Sequence, residues 1–129
     1  MRLSIVFIIL SLGACGRNET VANYGAADKT WVLTEIDNQP YAAHATLLFT
    51  DNNKISGDTP CNAYSGMMTV PYPWFEAVEI TSTKMACPDK AKEAQFLEAL
   101  SMMTLSEVLG DVLLLSNDAG REMVFKAAD

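Results

Sequence analysis

The stretch from Ser56 to Cys87 limits the fold of this chain more than any other. It opens with Ser56-Gly57-Asp58-Thr59-Pro60-Cys61-Asn62-Ala63-Tyr64-Ser65-Gly66 and closes with Thr83-Lys84-Met85-Ala86-Cys87. Glycines bracketing a Cys-Asn pair, followed by a Thr-x-Met-Ala-Cys segment, form a pattern that composition alone does not produce. Two of the three cysteines lie here. Their chemistry depends on the compartment, so the amino terminus has to be read next.

Met1-Arg2 is a short positive start, Leu3 to Leu12 is an almost unbroken apolar run, and Leu12-Gly13-Ala14-Cys15 ends it with small residues before a cysteine. This is the form of a bacterial lipoprotein signal over residues 1–14. A membrane-spanning helix needs about 20 apolar residues, more than this run supplies. Cys15 is the expected lipid-attachment residue, because its thiol accepts a diacylglyceryl group and cleavage before it frees an amine for a further acyl chain. Several acyl chains anchor firmly, each buried methylene adding about 0.8 kcal/mol. The alternative is an ordinary secretory signal with a coincidental cysteine. Gly16 stands where an aspartate would hold a Gram-negative lipoprotein in the inner membrane, so the expected address is the outer membrane, lipid-anchored on its periplasmic face. Residues 15–28 are polar or small without sustained period and read as a lipidated tether.

The remaining chain, 29–127, fits one domain. Its charge bears on partners: the full chain has 16 acidic against 9 basic residues, a formal net charge of −7. An acidic surface repels phosphate backbones, which argues against nucleic acid.

Trp31 to Ile36 has strand composition and runs into the turn cluster Asp37-Asn38-Gln39-Pro40. Ala45 to Thr50 and Lys54 to Gly57 form a hairpin pattern across Asp51-Asn52-Asn53, whose Asx residues tolerate left-handed backbone. As a calcium loop, Asp51, Asn53 and Asp58 lack the glycine and terminal glutamate that an EF-hand requires at its sixth and twelfth positions. Cys61 to Val70 reads as a strand, Pro71-Tyr72-Pro73 interrupts any ladder, and Trp74 to Thr81 resumes extended structure. The period then changes. Pro88 and Asp89 open an amphipathic helix to about Met103, with Phe96, Leu100 and Met103 on the inner face and Lys90, Ala94, Glu98 and Ser101 opposite. Leu105 to Leu109, Val112 to Ser116 and Glu122 to Lys126 form a meander. The expected class is α+β: a small antiparallel, half-open barrel of about seven or eight strands with one helix covering an opening.

These residues resemble the META domain family, in particular its HslJ-like bacterial envelope proteins. The resemblance rests on Trp31-Val32-Leu33, Leu48-Phe49 with its Asx turn, Gly57, Cys61-Asn62, Tyr64-Ser65-Gly66, Thr83-Lys84-Met85-Ala86-Cys87, Phe96-Leu97, Gly110-Asp111, Leu113, Leu115 and Val124-Phe125. Pro60 departs from it, standing where the family usually has glycine. The resemblance implies a compact β-rich domain with a helix, and an association with heat shock, antibiotic tolerance and envelope stress. It implies no enzymatic reaction.

With Cys15 given to lipid, Cys61 and Cys87 remain as a pair that an oxidising periplasm would join; two separate buried thiols are the alternative. A disulfide closing this loop would add roughly 3 to 4 kcal/mol. Zinc would have only His44 to supplement the two sulfurs. Asn62 is expected to satisfy backbone groups near the disulfide rather than contact a ligand. Tyr64 is expected in the core with its hydroxyl satisfied. Gly66, Thr83 and Met85 complete the structural motif. His44 has no Gly-x-Ser-x-Gly nucleophile to serve, Glu76 and Glu79 fall on opposite faces of a strand, and the methionines read as core filler rather than a metal cluster. The expectation is therefore a non-enzymatic lipoprotein without metal or cofactor, touching the membrane through its anchor and binding an unknown envelope protein or ligand. A small-ligand or lysozyme-inhibitor-like module is the second reading.

Overall fold

A computed structural model describes residues 19–128 of the chain. The signal segment and Cys15 lie outside the described residues. Among the described residues no helix is long and apolar enough to cross a membrane.

Side chains that point by turns to the two faces of each strand set most of the architecture. In β1 (Trp31–Ile36), Trp31, Leu33 and Ile36 point inward. Asp37 and Asn38, both at positive φ, turn the chain into the short β2 (Gln39–Pro40). β3 (Thr46–Thr50) and β4 (Lys54–Asp58) follow, joined through Asn52 and Asn53 at φ of 61° and 60°. That is the left-handed backbone that asparagine tolerates best among residues with side chains. β5 (Ala63–Met67) and β6 (Val78–Ser82) complete the first half of the sheet. α1 (Lys90–Met102) crosses to the meander β7 (Leu105–Leu109), β8 (Val112–Ser116) and β9 (Glu122–Ala127).

All pairings are antiparallel, and the sheet order is β6-β5-β4-β3-β1-β9-β8-β7, with β2 paired to β1 alone. First and last strands thus meet in the middle, where β1 pairs with β9. The eight-stranded path curls into the expected half-open barrel. Residues 73–75 partly seal its β7 edge: Ser106 N–H donates to Pro73 O at 2.7 Å, Phe75 N–H donates to Thr104 O at 2.8 Å, and Trp74 bridges Leu105. Trp31, Leu47, Ile55, Phe75, Phe96 and Phe125 are among the side chains filling the interior.

The helix buries Phe96, Ala99 and Leu100, while Lys90, Ala94, Glu98 and Ser101 are exposed. Asp89 stands at its N-cap without a side-chain capping bond. Three segments depart from the sequence reading. The Cys61–Val70 strand shrinks to Ala63–Met67, because Thr59 and Pro60 hold Cys61 and Asn62 in a turn. The extended run from Trp74 keeps only Val78–Ser82 as a strand; the residues before it cross to β7 instead. The tether also ends before Asp28. Val21 to Tyr24 forms one turn of 3-10 helix, Val21 and Ala26 are completely buried, and Ala26 O accepts the Trp31 indole N–H at 2.9 Å. Short apolar residues such as these carry no period over so few positions, so their burial leaves little trace in sequence.

Candidate functional site

Around Cys61 the chain must reverse between β4 and β5, and Thr59 makes this possible. Its hydroxyl oxygen accepts the Asn62 N–H at 2.7 Å, and Thr59 N–H donates to Asn62 O at 2.7 Å. The turn fixes the Asn62 side chain against three other segments. Its Oδ1 accepts from Thr83 Oγ1 and from Met85 N–H, both at 2.8 Å. Its Nδ2 donates to Met85 O at 3.3 Å and to the two carboxylate oxygens of Glu93 at 3.0 and 3.1 Å. One amide therefore binds both backbone groups of Met85 and both oxygens of a carboxylate. Thr59 Oγ1 supplies Glu93 with a further donor.

Cys61 and Cys87 are joined in a disulfide, with Cα atoms 5.7 Å apart. It ties the turn to the far end of residues 83–87, while Asn62 ties it to their near end. Thr83 adds backbone continuity with β5, its N–H donating to Ala63 O at 3.0 Å and its hydroxyl accepting Ala63 N–H at 3.2 Å. The result is a two-point clip that holds an irregular exposed segment over the first turns of α1.

Glu93 is the residue that sequence reasoning missed. It is buried at the foot of the clip, although its neighbours Lys90, Lys92 and Ala94 are exposed. Its position three residues before Phe96 places it on the inner stripe, which is the one signal that could have found it.

Tyr64 and the glycines build the floor. Tyr64 packs edge-on against Phe96 at 5.5 Å and donates its hydroxyl to Thr46 O at 2.6 Å. Burial, then the charge of Asp58, raises its phenol well above the ordinary value. Gly57 lies directly opposite Tyr64 in the β4–β5 register. A Cβ there would stand 2.2 Å from Thr46 O and 3.0 Å from the Tyr64 ring, so the glycine is what lets the tyrosine reach that carbonyl. At Gly66 a Cβ would stand 2.9 Å from Val78 O, beside the shift in the β5–β6 register.

Elsewhere, Tyr41 donates to Lys92 O at 2.7 Å, and burial followed by the charges of Asp89 and Glu93 pushes its phenol up to about 12. Arg121 joins Asp37 at 3.1 Å and Glu98 at 3.0 Å. Partial burial alone would raise the Asp37 carboxyl, but the Glu122 N–H and the Arg121 guanidinium outweigh it and hold it below the ordinary range. His44 is exposed on the loop before β3. Glu76 and Glu79 are both exposed, Glu79 at a positive φ of 54°. Met68, Met103 and Met123 are core residues, whereas Met85 and Met102 are exposed. Among the described residues no three His, Cys, Asp or Glu side chains are grouped to hold a metal.

Beside the clip lies a shallow groove of about 230 Å³. Asn62, Thr83 and Glu93 form its polar wall, and Lys84, Met85 and Lys90 stand on its rim. Met85 is 69% exposed even though its backbone is fixed at both the N–H and the C=O.

No curated protein matches the chain. Solved structures share its fold. An NMR structure of a protein from Burkholderia xenovorans superposes with a TM-score of 0.67 at 22% identity, covering 84% of this chain and 87% of that one. The crystal structure of a DUF4847 family protein from Bacteroides vulgatus gives 0.64 at 16% identity, covering 82% and 96%. A further NMR structure gives 0.63 at 20% identity, covering 83% and 94%. The sequence pattern of the META domain matches residues 25–129, which spans the turn, the clip, the helix and the meander alike, and the chain belongs to the META domain family.

Proposed function

We propose that the protein is a non-enzymatic outer-membrane lipoprotein that presents the clipped segment at residues 83–87 to another component of the bacterial envelope. The observation that carries the reading is Met85. A large apolar side chain faces solvent on a backbone that Asn62 and the disulfide hold still, so a partner meets a contact whose backbone is already ordered. Asn62 itself is committed to Met85, Thr83 and Glu93, which favours presentation over chemistry at this motif. The lipobox at Leu12-Gly13-Ala14-Cys15 supports the address. Envelope maintenance under stress or antibiotic exposure is the role that suits such a module.

Complementation of a deletion strain under envelope stress tests both halves. Cys15→Ala, expressed with a cleavable non-lipoprotein secretory signal in place of residues 1–14, should move the protein from the membrane fraction to the soluble periplasm. Met85→Asp should leave the melting temperature unchanged, since the side chain touches no core, yet fail to restore stress tolerance. Full restoration by Met85→Asp would remove the presentation reading, and membrane retention of Cys15→Ala would remove the anchor.

A further inference from the structure

Five large apolar side chains are exposed among the described residues, and two of them stand at the turn near the point where the chain enters the domain, Trp74 as part of it and Tyr24 through its stack on Tyr72. Tyr24 stacks on Tyr72 with ring centroids 4.6 Å apart and planes 12° from parallel. Tyr72 and Pro73 form the centre of a turn in which Trp74 N–H donates to Pro71 O at 2.8 Å, and this turn is bolted to the start of the domain by Tyr72 N–H donating to Glu19 O at 2.7 Å. The aromatic residues therefore stand at the domain's point of entry, held by backbone bonds. Tyr24 is 55% exposed and Trp74 57%.

We infer that this aromatic surface rests on the lipid bilayer, at the level of the headgroups. The inference rests on the anchoring reading above. Three residues lie between Cys15 and Glu19, and the four residue steps, fully extended, span roughly 14 Å at most. An anchor so short keeps the surface around Glu19 within reach of the headgroups. Tyrosine and tryptophan are the side chains that gain most from that zone, since each has an apolar body and a polar tip. The surrounding charge narrows the lipid. Glu19, Glu76 and Glu107 are exposed nearby, with Glu76 beside Trp74 and Glu107 beside Tyr72. Carboxylates repel anionic headgroups, so a zwitterionic surface is the fitting one.

The two tryptophans provide the test, because Trp31 is fully buried and Trp74 is not. The lipidated protein, purified from membranes and checked by intact mass, is reconstituted into phosphatidylcholine vesicles containing a lipid with a nitroxide at a shallow acyl position. Most of the Trp74 emission should be lost, and Trp74→Phe, which leaves Trp31 as the sole emitter, should remove that loss. Emission indifferent to the labelled lipid would overturn the inference, as it would if a protein partner were the occupant of this surface. Equal quenching of wild type and Trp74→Phe would overturn it as well. A mass without diacylglycerol on Cys15 would show instead that the anchoring reading had failed.

Discussion

Removing the Asn62 amide would take from the buried Glu93 carboxylate its bonds to both oxygens, leaving it the Thr59 hydroxyl, and would release both backbone groups of Met85. Loss of one partner of a buried charged hydrogen bond costs far more than the net worth of the pair. Asn62→Ala is therefore expected to destabilise the domain by about 3 kcal/mol and to lower its melting temperature by roughly 10 °C or more, readable by calorimetry; an unchanged melting temperature would show that the network contributes nothing. Tyr41 gives a prediction of opposite character. Its phenol is raised to about 12, so the neutral form is favoured in the folded state. The associated stability is fully present below the ordinary tyrosine value of about 10 and is lost as pH rises from there toward about 12. Ultraviolet titration should show this late phenol, and Tyr41→Phe should abolish its part of the alkaline loss. At this scale the backbone-pinning role of Asn62 follows from residue type, since a short amide beside turn-forming residues finds backbone groups first. Glu93 was illegible because a glutamate among helical lysines looks like a solvated face until the register of the inner stripe is counted.

Elements were legible where a single period governs them. β8 and β9 bury alternate residues, β1 does so up to the irregularity between Leu33 and Glu35, and the Asx turns announce themselves by residue type. Boundaries failed where a specific bond overrode periodicity: the Thr59 hydroxyl holds Asn62 in a turn so that β5 starts at Ala63 rather than Cys61, and the pairing of residues 73–75 with β7 takes them out of the strand that follows. Gly57 shows how closely β4 and β5 depend on one another. Gly57→Ala would drive a methyl group into the Thr46 carbonyl, which is backbone and has little freedom to retreat. The expected cost is about 3 kcal/mol, the upper end for overpacking, measured by denaturant unfolding. Gly110→Ala is a useful contrast, since open space surrounds it and only its φ of 59° resists. Gly57 has no positive φ, so a negligible loss on Gly57→Ala would show that the Thr46 carbonyl gives way and would remove the close approach as a constraint.

Across the whole molecule, the α+β class and the curled sheet follow from strand count and one helix, but the pairing of β1 with β9 at its centre does not. Which strands meet depends on contacts between the two ends of the chain, and no local pattern encodes them. The packing of Val21 and Ala26 against the barrel was lost for a similar reason, since two small apolar residues in a polar stretch resemble a tether until the surface they fit is known. The Cys61–Cys87 disulfide and the proposed anchor at Cys15 both call for an oxidising compartment beside a bilayer. Intact mass spectrometry of the protein from bacterial membranes, with thiol alkylation before and after reduction, tests that account most directly. It predicts diacylglycerol on Cys15 and alkylation of Cys61 and Cys87 only after reduction; an unlipidated chain whose cysteines all alkylate without reductant would contradict it.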